Sequence, residues 1–290
     1  MESTAAKTAM GPLFRVALEQ LVPKEKKILH DAVAYNFLPP LLKGIINLCR
    51  INLIRQLFLN LEDKKAPGVR GGLLCRKRYI DDKLIQAIKN GIETVVILGS
   101  GFDSRAYRLS ELASTHIYEV DLPINIQFKE RKLIKMFKEV PSHVILVPID
   151  FNTQKLEDKL LLAGYSLEQP TFFVWEGVTQ YLPETVVHTI FEFLAKAKPG
   201  SQLAFTYIRK DFIDGEKMYG LEIIYKNTRN RTQLWKFGIE PEIIDTFLNN
   251  YSWKRLENVG NAEYQNLYLE PIERKMPVME IERMVLAEKN

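Results

Sequence analysis

At 290 residues, with 46% hydrophobic and 26% charged side chains, the chain has the make-up of a globular protein long enough to bury a large core. A net charge of +4, with Lys and Arg scattered rather than gathered in a stripe, argues against a nucleic-acid surface. Two cysteines, Cys49 and Cys75, are too few for a disulfide framework and match no metal-ligand spacing, so no metal is expected and a reducing, cytoplasmic setting is.

The opening "MESTAAKTAMGPLFRVALEQ" lacks a basic start followed by an apolar run and a cleavage site, so no signal peptide is expected. The most membrane-like stretch, "FLPPLLKGIINLCRINLIRQLFLNL", is interrupted by Pro39, Pro40, Lys43, Arg50 and Arg55. It falls short of the ~18 uninterrupted apolar residues of a spanning helix. It reads as amphipathic helices of a soluble core or lid rather than a membrane contact. Apolar residues recur at three- and four-residue spacing through residues 1–90, which predicts a helical cap. Its breaks are expected at Pro23, at Pro39-Pro40 and in "EDKKAPGVRGG".

After Gly91 short apolar runs alternate with amphipathic stretches. "TVVILG" precedes a helix in "SRAYRLSELAS", and "HIYEVDLP" precedes the basic helix "INIQFKERKLIKMFKEV". "HVILVPID" leads to "LEDKLLLAG", "TFFVWEG" to "PETVVHTIFEFLAKA", and Pro199-Gly200 turns into "SQLAFTYI". Strands alternating with helices predict an α/β domain over 91–290, built on a parallel sheet covered on both faces. A mostly helical excursion is expected over 208–250, and "WKRLENV" and "IERMVLAEK" would add a last pair of strands.

In such a sheet a ligand sits beyond the carboxyl ends of the strands, beside the first of them. Gly99-Ser100-Gly101 stands there, where glycines let a ligand approach the backbone and the next helix N-terminus offers N–H groups. A dinucleotide turn needs a third glycine where this chain has Ser104, and no GK[ST] phosphate loop is present. Asp121 lies about twenty residues past Gly101, where a carboxylate holding ribose hydroxyls is expected. Glu119 points to the same side of the strand and competes for that role. Asp121 alone would serve equally as a helix cap, but with the glycine turn at this spacing the ribose role takes precedence. Asp150 ends the third strand, placed to accept from an adenine amino group, with Phe151 beside it as an apolar surface. Glu176 follows the fourth strand inside an apolar run, so it requires a cationic partner, an ammonium or an Arg. Together these positions describe S-adenosylmethionine better than NAD, whose pyrophosphate would need neutralising.

"VVILGSGFDSRAYRL", "YEVDLP", "VPIDFN" and "VWEGVTQYLP", in that order, resemble the leucine carboxyl methyltransferase superfamily. That superfamily includes bacterial S-adenosylmethionine-dependent methyltransferases and polyketide O-methyltransferase relatives. The resemblance extends to "KILHDAVAYNFLP", "RKRYIDDKL" and "EIERMVLAEK", nearly the whole chain. It implies a class I, Rossmann-like methyltransferase fold, a seven-stranded, mostly parallel sheet under an N-terminal helical cap, with S-adenosyl-L-methionine as cofactor. It carries cofactor binding onto Gly99, Gly101, Asp121, Asp150, Phe151 and Glu176. An Arg of the preceding helix, at the cofactor and substrate carboxylates, falls on Arg76 or Arg78, with Arg78 preferred, and a substrate-positioning tyrosine falls on Tyr181. The family's usual Asp-Thr-Arg is here Asp103-Ser104-Arg105.

A carboxylate acceptor is already ionised near neutral pH and requires no base, whereas a phenol would. Of the histidines, only His30, in the cap, is placed to serve; His116, His143 and His188 read as structural. The expected activity is O-methylation of a small molecule, a carboxylate in preference to a hydroxyl, with no nucleic-acid or membrane partner. The rivals are a protein C-terminal carboxyl methyltransferase, a binding module without turnover and, last, an NAD-dependent oxidoreductase.

Overall fold

The computed structural model describes residues 4–290, with side chains described for 10–229 and 232–290. The N-terminal part is helical: α1 (Thr4–Glu19), the single turn α2 (Ala34–Phe37), α3 (Pro40–Leu48), α4 (Asn52–Lys65) and α5 (Val69–Lys89). Strands and helices then alternate through β1 (Thr94–Leu98), α6 (Arg105–Arg108), β2 (His116–Asp121), α7 (Pro123–Phe137), β3 (Val144–Pro148), α8 (Leu156–Leu162), β4 (Thr171–Trp175), α9 (Glu184–Leu194) and β5 (Gln202–Ile208). The short helices α10 (Lys210–Ile213), α11 (Glu222–Tyr225) and α12 (Ile244–Asn249) precede β6 (Trp253–Val259), α13 (Asn261–Tyr264) and β7 (Glu282–Lys289).

The strands form one seven-stranded sheet in the order β3-β2-β1-β4-β5-β7-β6. All neighbours pair in parallel except β7, which runs antiparallel between β5 and β6. This is the mostly parallel sheet expected, closed by the predicted terminal pair. β1 and β4 are buried along their whole length, which is why their sequences read as unbroken apolar runs. Alternate residues go to opposite faces. Val95, Ile97, Phe172 and Val174 pack in one core with α1 and α5. Val96, Leu98, Phe173 and Trp175 pack in the other with α8 and α9.

The structure sharpens the expected helix breaks and shortens one expected helix. The break expected in "EDKKAPGVRGG" falls at Ala66–Gly68, and Gly71 and Gly72 lie inside α5. A Cβ on Gly71 would stand 2.1 Å from the Pro277 carbonyl oxygen, so these glycines admit a crossing strand of backbone rather than end a helix. The helix expected in "SRAYRLSELAS" is a single turn, because the chain becomes extended at Leu109 (φ −93, ψ 112) and thereby seats Leu112 in the core. The excursion after β5 is made of short helical elements, α11 running on as a π-helix to 231, joined by irregular backbone over 233–238. The cap has no core of its own: Leu74, Ile80 and Leu84 of α5 share a cluster with the sheet. Expected as part of a core or lid, α4 has no buried residue.

Candidate active site

A cavity of about 650 Å³ opens at the carboxyl ends of β1 to β5 and is walled by α1, α5 and the segment after β5. Its size is that of a small-ligand site, typically ~300–1,000 Å³. Gly99, Gly101, Asp121, Asp150, Phe151, Glu176 and Tyr181 all line it, brought together from four strand ends and the turn after β4. β1 lies between β2 and β4, so the cavity sits where the direction of strand addition reverses.

The turn after β1 is locked to β2. Gly99 N–H and Ser100 N–H both donate to the Val120 carbonyl, at 2.8 and 2.9 Å, and Gly101 N–H donates to Asp121 Oδ2. These amides are therefore committed to the protein rather than offered to a ligand. α6 cannot replace them, because it is a single turn whose Arg105 N–H is taken by Asp103 Oδ1. A ligand carboxylate must instead be met by side chains. Gly99 has φ +69, and a Cβ there would stand 2.4 Å from a Val178 methyl. Gly99→Ala should cost about 1–3 kcal/mol through strain and displacement of the turn; a shifted urea midpoint would show it, and an unchanged midpoint would refute this account.

Asp121 accepts from three donors: Gly101 N–H on Oδ2, and Leu122 N–H and Asn125 Nδ2 on Oδ1. A carboxylate offers about four lone-pair sites. One remains, enough for a single ribose hydroxyl rather than the two a bare carboxylate would serve. Glu119, the competitor, is fully buried elsewhere, paired with Lys129 at 2.7 Å and accepting from the Tyr107 hydroxyl. Burial raises its carboxyl, with Lys129 opposing. Asp150 accepts from Asn152 N–H and Nδ2, both on Oδ1 and both at 2.9 Å, which leaves Oδ2 for an amino group.

Arg76, not Arg78, faces the cavity. Arg78 pairs with Asp82 at 2.8 Å, donates to the Ile28 carbonyl and lies over Tyr268, outside the lining. Arg76 is buried and bridges Glu176 at 2.9 Å and Glu282 at 2.6 Å. Glu176 also pairs with Lys77 at 3.2 Å and Arg105 at 2.9 Å. Burial alone would raise its carboxyl, but Lys77, Arg105 and Arg76 outweigh that and hold it well below the usual range. Arg105 extends the network to Asp103 and to Asp81, the latter at 2.7 Å. Burial there opposes the cation, yet Asp103, Glu176 and Asp81 keep it firmly protonated. Arg108 completes the pairing of Asp81 at 2.7 Å.

These side chains suit the methionine end of S-adenosylmethionine. Ser100 Oγ, at the β1 turn, is buried and has no hydrogen-bond partner among the described residues, an orphan that a bound polar ligand would satisfy. Glu176 is an acceptor for an ammonium, and Arg76 and Lys77 are donors for a carboxylate, matching both charges of an amino acid. The sequence reading did not find Arg105 or Glu282 as members of this site. Arg105 stands in the quoted Asp103-Ser104-Arg105, but only folding shows what it pairs with. Glu282 meets Arg76 across 206 residues, a distance no local pattern encodes.

Comparison with known proteins places the chain in a family. Residues 9–195 match the family model for leucine carboxyl methyltransferase. A protein of Mycobacterium avium (strain 104) named "Putative S-adenosyl-L-methionine-dependent methyltransferase" is 30% identical over 238 residues, covering 80% of this chain and 75% of its own length. A protein of the same name from Mycobacterium ulcerans (strain Agy99) is 36% identical over 150 residues, 51% of this chain and 49% of that one. Among solved structures, a DUF574-family protein from Streptomyces avermitilis MA-4680 aligns with TM-score 0.56 at 13% identity, covering 95% and 97% of the two chains. A structure named "putative methyltransferase" from Thermobifida fusca YX aligns with TM-score 0.55 at 15% identity, covering 82% of this chain and 88% of its own.

Proposed function

The chain belongs to the leucine carboxyl methyltransferase family and is an S-adenosylmethionine-dependent methyltransferase, and from that premise we propose that it esterifies a small, largely apolar carboxylic acid. The observation that carries this reading is the lack of a general base among the described residues of the cavity. No histidine lines it, and its acids are either paired with cations or, like Asp121 and Asp150, placed for the cofactor. Glu282 is tied to Arg76, Asp31 to Ser104 and Arg108, and Asp103 to Arg105. Asp103, like Glu176, is held below its ordinary range: burial opposes, and Arg105 and Lys77 prevail. A carboxylate with a depressed pKa is a poor proton acceptor, so a hydroxyl substrate would find little help here. A carboxylate substrate requires none.

When bound, the cofactor supplies a methyl group on a sulfonium, activated for in-line displacement. The chain contributes position and dryness. Asp121 would hold the ribose, Asp150 and Phe151 the adenine, and Glu176 with Arg76 and Lys77 the amino-acid end. Leu13 and Val16 of α1, Leu73 of α5, and Leu234, Trp235 and Met279 form apolar walls for the acceptor's hydrocarbon body. Tyr181, half-buried against Trp235 with ring centroids 6.4 Å apart, brings a hydroxyl donor to the same space. Burial raises its pKa, so it stays a donor through the neutral range.

Tritiated methyl transfer to a panel of apolar acids, phenols and peptides tests this. The expected product is base-labile, as a methyl ester is; base-stable label would refute the carboxylate reading, and label on peptides alone would point to a protein C-terminus. Tyr181→Phe should lower kcat/KM for the acid by about ten- to a hundredfold, the worth of one hydrogen bond to a charged group, while leaving the affinity for S-adenosylhomocysteine unchanged. With no base titrating, kcat/KM should be flat from about pH 6 to 8; a rise of slope one would overturn the mechanism.

A further inference from the structure

Against the sequence expectation of no membrane contact, we propose that α3 and α4 form a docking surface for an anionic lipid membrane. Leu53, Leu57 and Leu61 lie four residues apart on one stripe of α4 and are 80%, 61% and 50% exposed. Leu41, Leu48 and Ile51, from α3 and the turn that follows it, are exposed as well. An exposed apolar stripe of this kind is uncommon unless something covers it. The opposite face of α4 is already used: Phe58 packs on Phe14 of α1 at 5.5 Å, and Glu62 pairs with Arg15 at 2.6 Å.

The charge around the patch selects the occupant. Residues 32–61 contain no Asp or Glu. Lys43, Arg50 and Arg55 lie within that span, and Lys64 and Lys65 end the helix, both exposed. The nearest acids, Glu62 and Asp63, are neutralised by Arg15 and Arg70. An apolar stripe rimmed only by cations, with long side chains that can reach past it, is the make-up of a helix lying in a lipid interface. Anionic headgroups complement that charge. A second copy of this chain would instead bring the same cations face to face about a two-fold axis. Among the described residues no helix is long and apolar enough to cross a bilayer, so the contact is peripheral. The surface also adjoins the acceptor cavity: α1 contributes Leu13 and Val16 to the cavity wall while Phe14 and Arg15 hold α4.

The test is cosedimentation of the full chain with vesicles of phosphatidylcholine alone or mixed equally with phosphatidylglycerol, read beside its oligomeric state by sedimentation velocity. Binding should favour the anionic vesicles by at least about tenfold, since each cation near such a surface contributes roughly a fivefold factor. It should fall as salt is raised. Leu53→Asp with Leu57→Asp, both at exposed positions, should abolish it, and Arg50→Gln with Lys64→Gln and Lys65→Gln should remove the preference for phosphatidylglycerol. Absence of binding at low salt, equal binding to both vesicles, or binding unchanged in the leucine variant would each overturn the proposal. A concentration-dependent dimer that the leucine variant dissociates would overturn it in favour of self-association. The assay reads binding alone, so its result is separate from that of the ester assay.

Discussion

Arg105→Met should destabilise the protein by about 3–5 kcal/mol, the usual cost of leaving partners of a buried ion pair uncompensated. Arg105 is 1% exposed and serves three carboxylates, Asp81, Asp103 and Glu176. These come from α5, the turn after β1 and the end of β4, so removing one cation orphans charges on three elements at once. Methionine keeps much of the volume, which separates the charge effect from a cavity. Urea unfolding at pH 7 reads the loss. The pH dependence gives an independent check. Glu176 and Asp103 are both depressed in the folded protein. Their contribution is thus fully present above the unfolded carboxylate range, near ~4, and is lost as pH falls toward their folded values. In the variant, burial is less opposed, their folded values rise, and folding itself comes to favour protonation. The gap between variant and wild type should therefore be widest near neutrality and narrow toward about pH 4. A gap that stays constant, or a loss under about 1 kcal/mol, would mean that the network relaxes around the missing guanidinium.

Asp121→Ala should weaken S-adenosylhomocysteine binding by about a hundredfold or more. The one lone-pair site left on the carboxylate would take a ribose hydroxyl, and a hydrogen bond to a charged group is worth about 1.5–3 kcal/mol, or some ten- to a hundredfold. The substitution also removes the acceptor of Gly101 N–H, Leu122 N–H and Asn125 Nδ2, so the glycine turn keeps its bonds to Val120 but loses its third tie to β2. That second effect adds to the first, because a loosened turn must be ordered again on binding. Asp121→Asn separates them: it keeps one carbonyl oxygen and most of the volume, so it should fall between wild type and Ala. Titration calorimetry decides this. Affinity within twofold of wild type in the Ala variant would remove Asp121 from the cofactor site.

Much of this site was legible before folding, for identifiable reasons. β1 and β4 are buried on both faces, so their composition alone announces them. A residue that follows such a strand must emerge at its carboxyl end, and that places Gly99, Asp121, Asp150 and Glu176 on one rim of the sheet. Helix register was less legible. Arg76 and Arg78 are two residues apart, about 200° around a helix, so one faces the cavity and the other faces away. Without α5 docked on the sheet, nothing in "CRKRYIDD" says which.

By itself, the sequence determined the alternation of strands and helices, the mostly parallel sheet and the strand-end positions of Gly99, Asp121, Asp150 and Glu176, because each of these depends on the period and burial of a short segment. Only the tertiary structure decided which groups meet. It committed the glycine-turn amides to Val120 and Asp121, gave Glu176 three cations in addition to any ligand, and brought Glu282 to Arg76 from the far end of the chain. It also left the apolar stripe of α4 facing outward, where the 3.6-residue period of an amphipathic helix would equally suit burial. Period and composition state what a segment needs; long-range packing determines whether, and by which partner, the need is met.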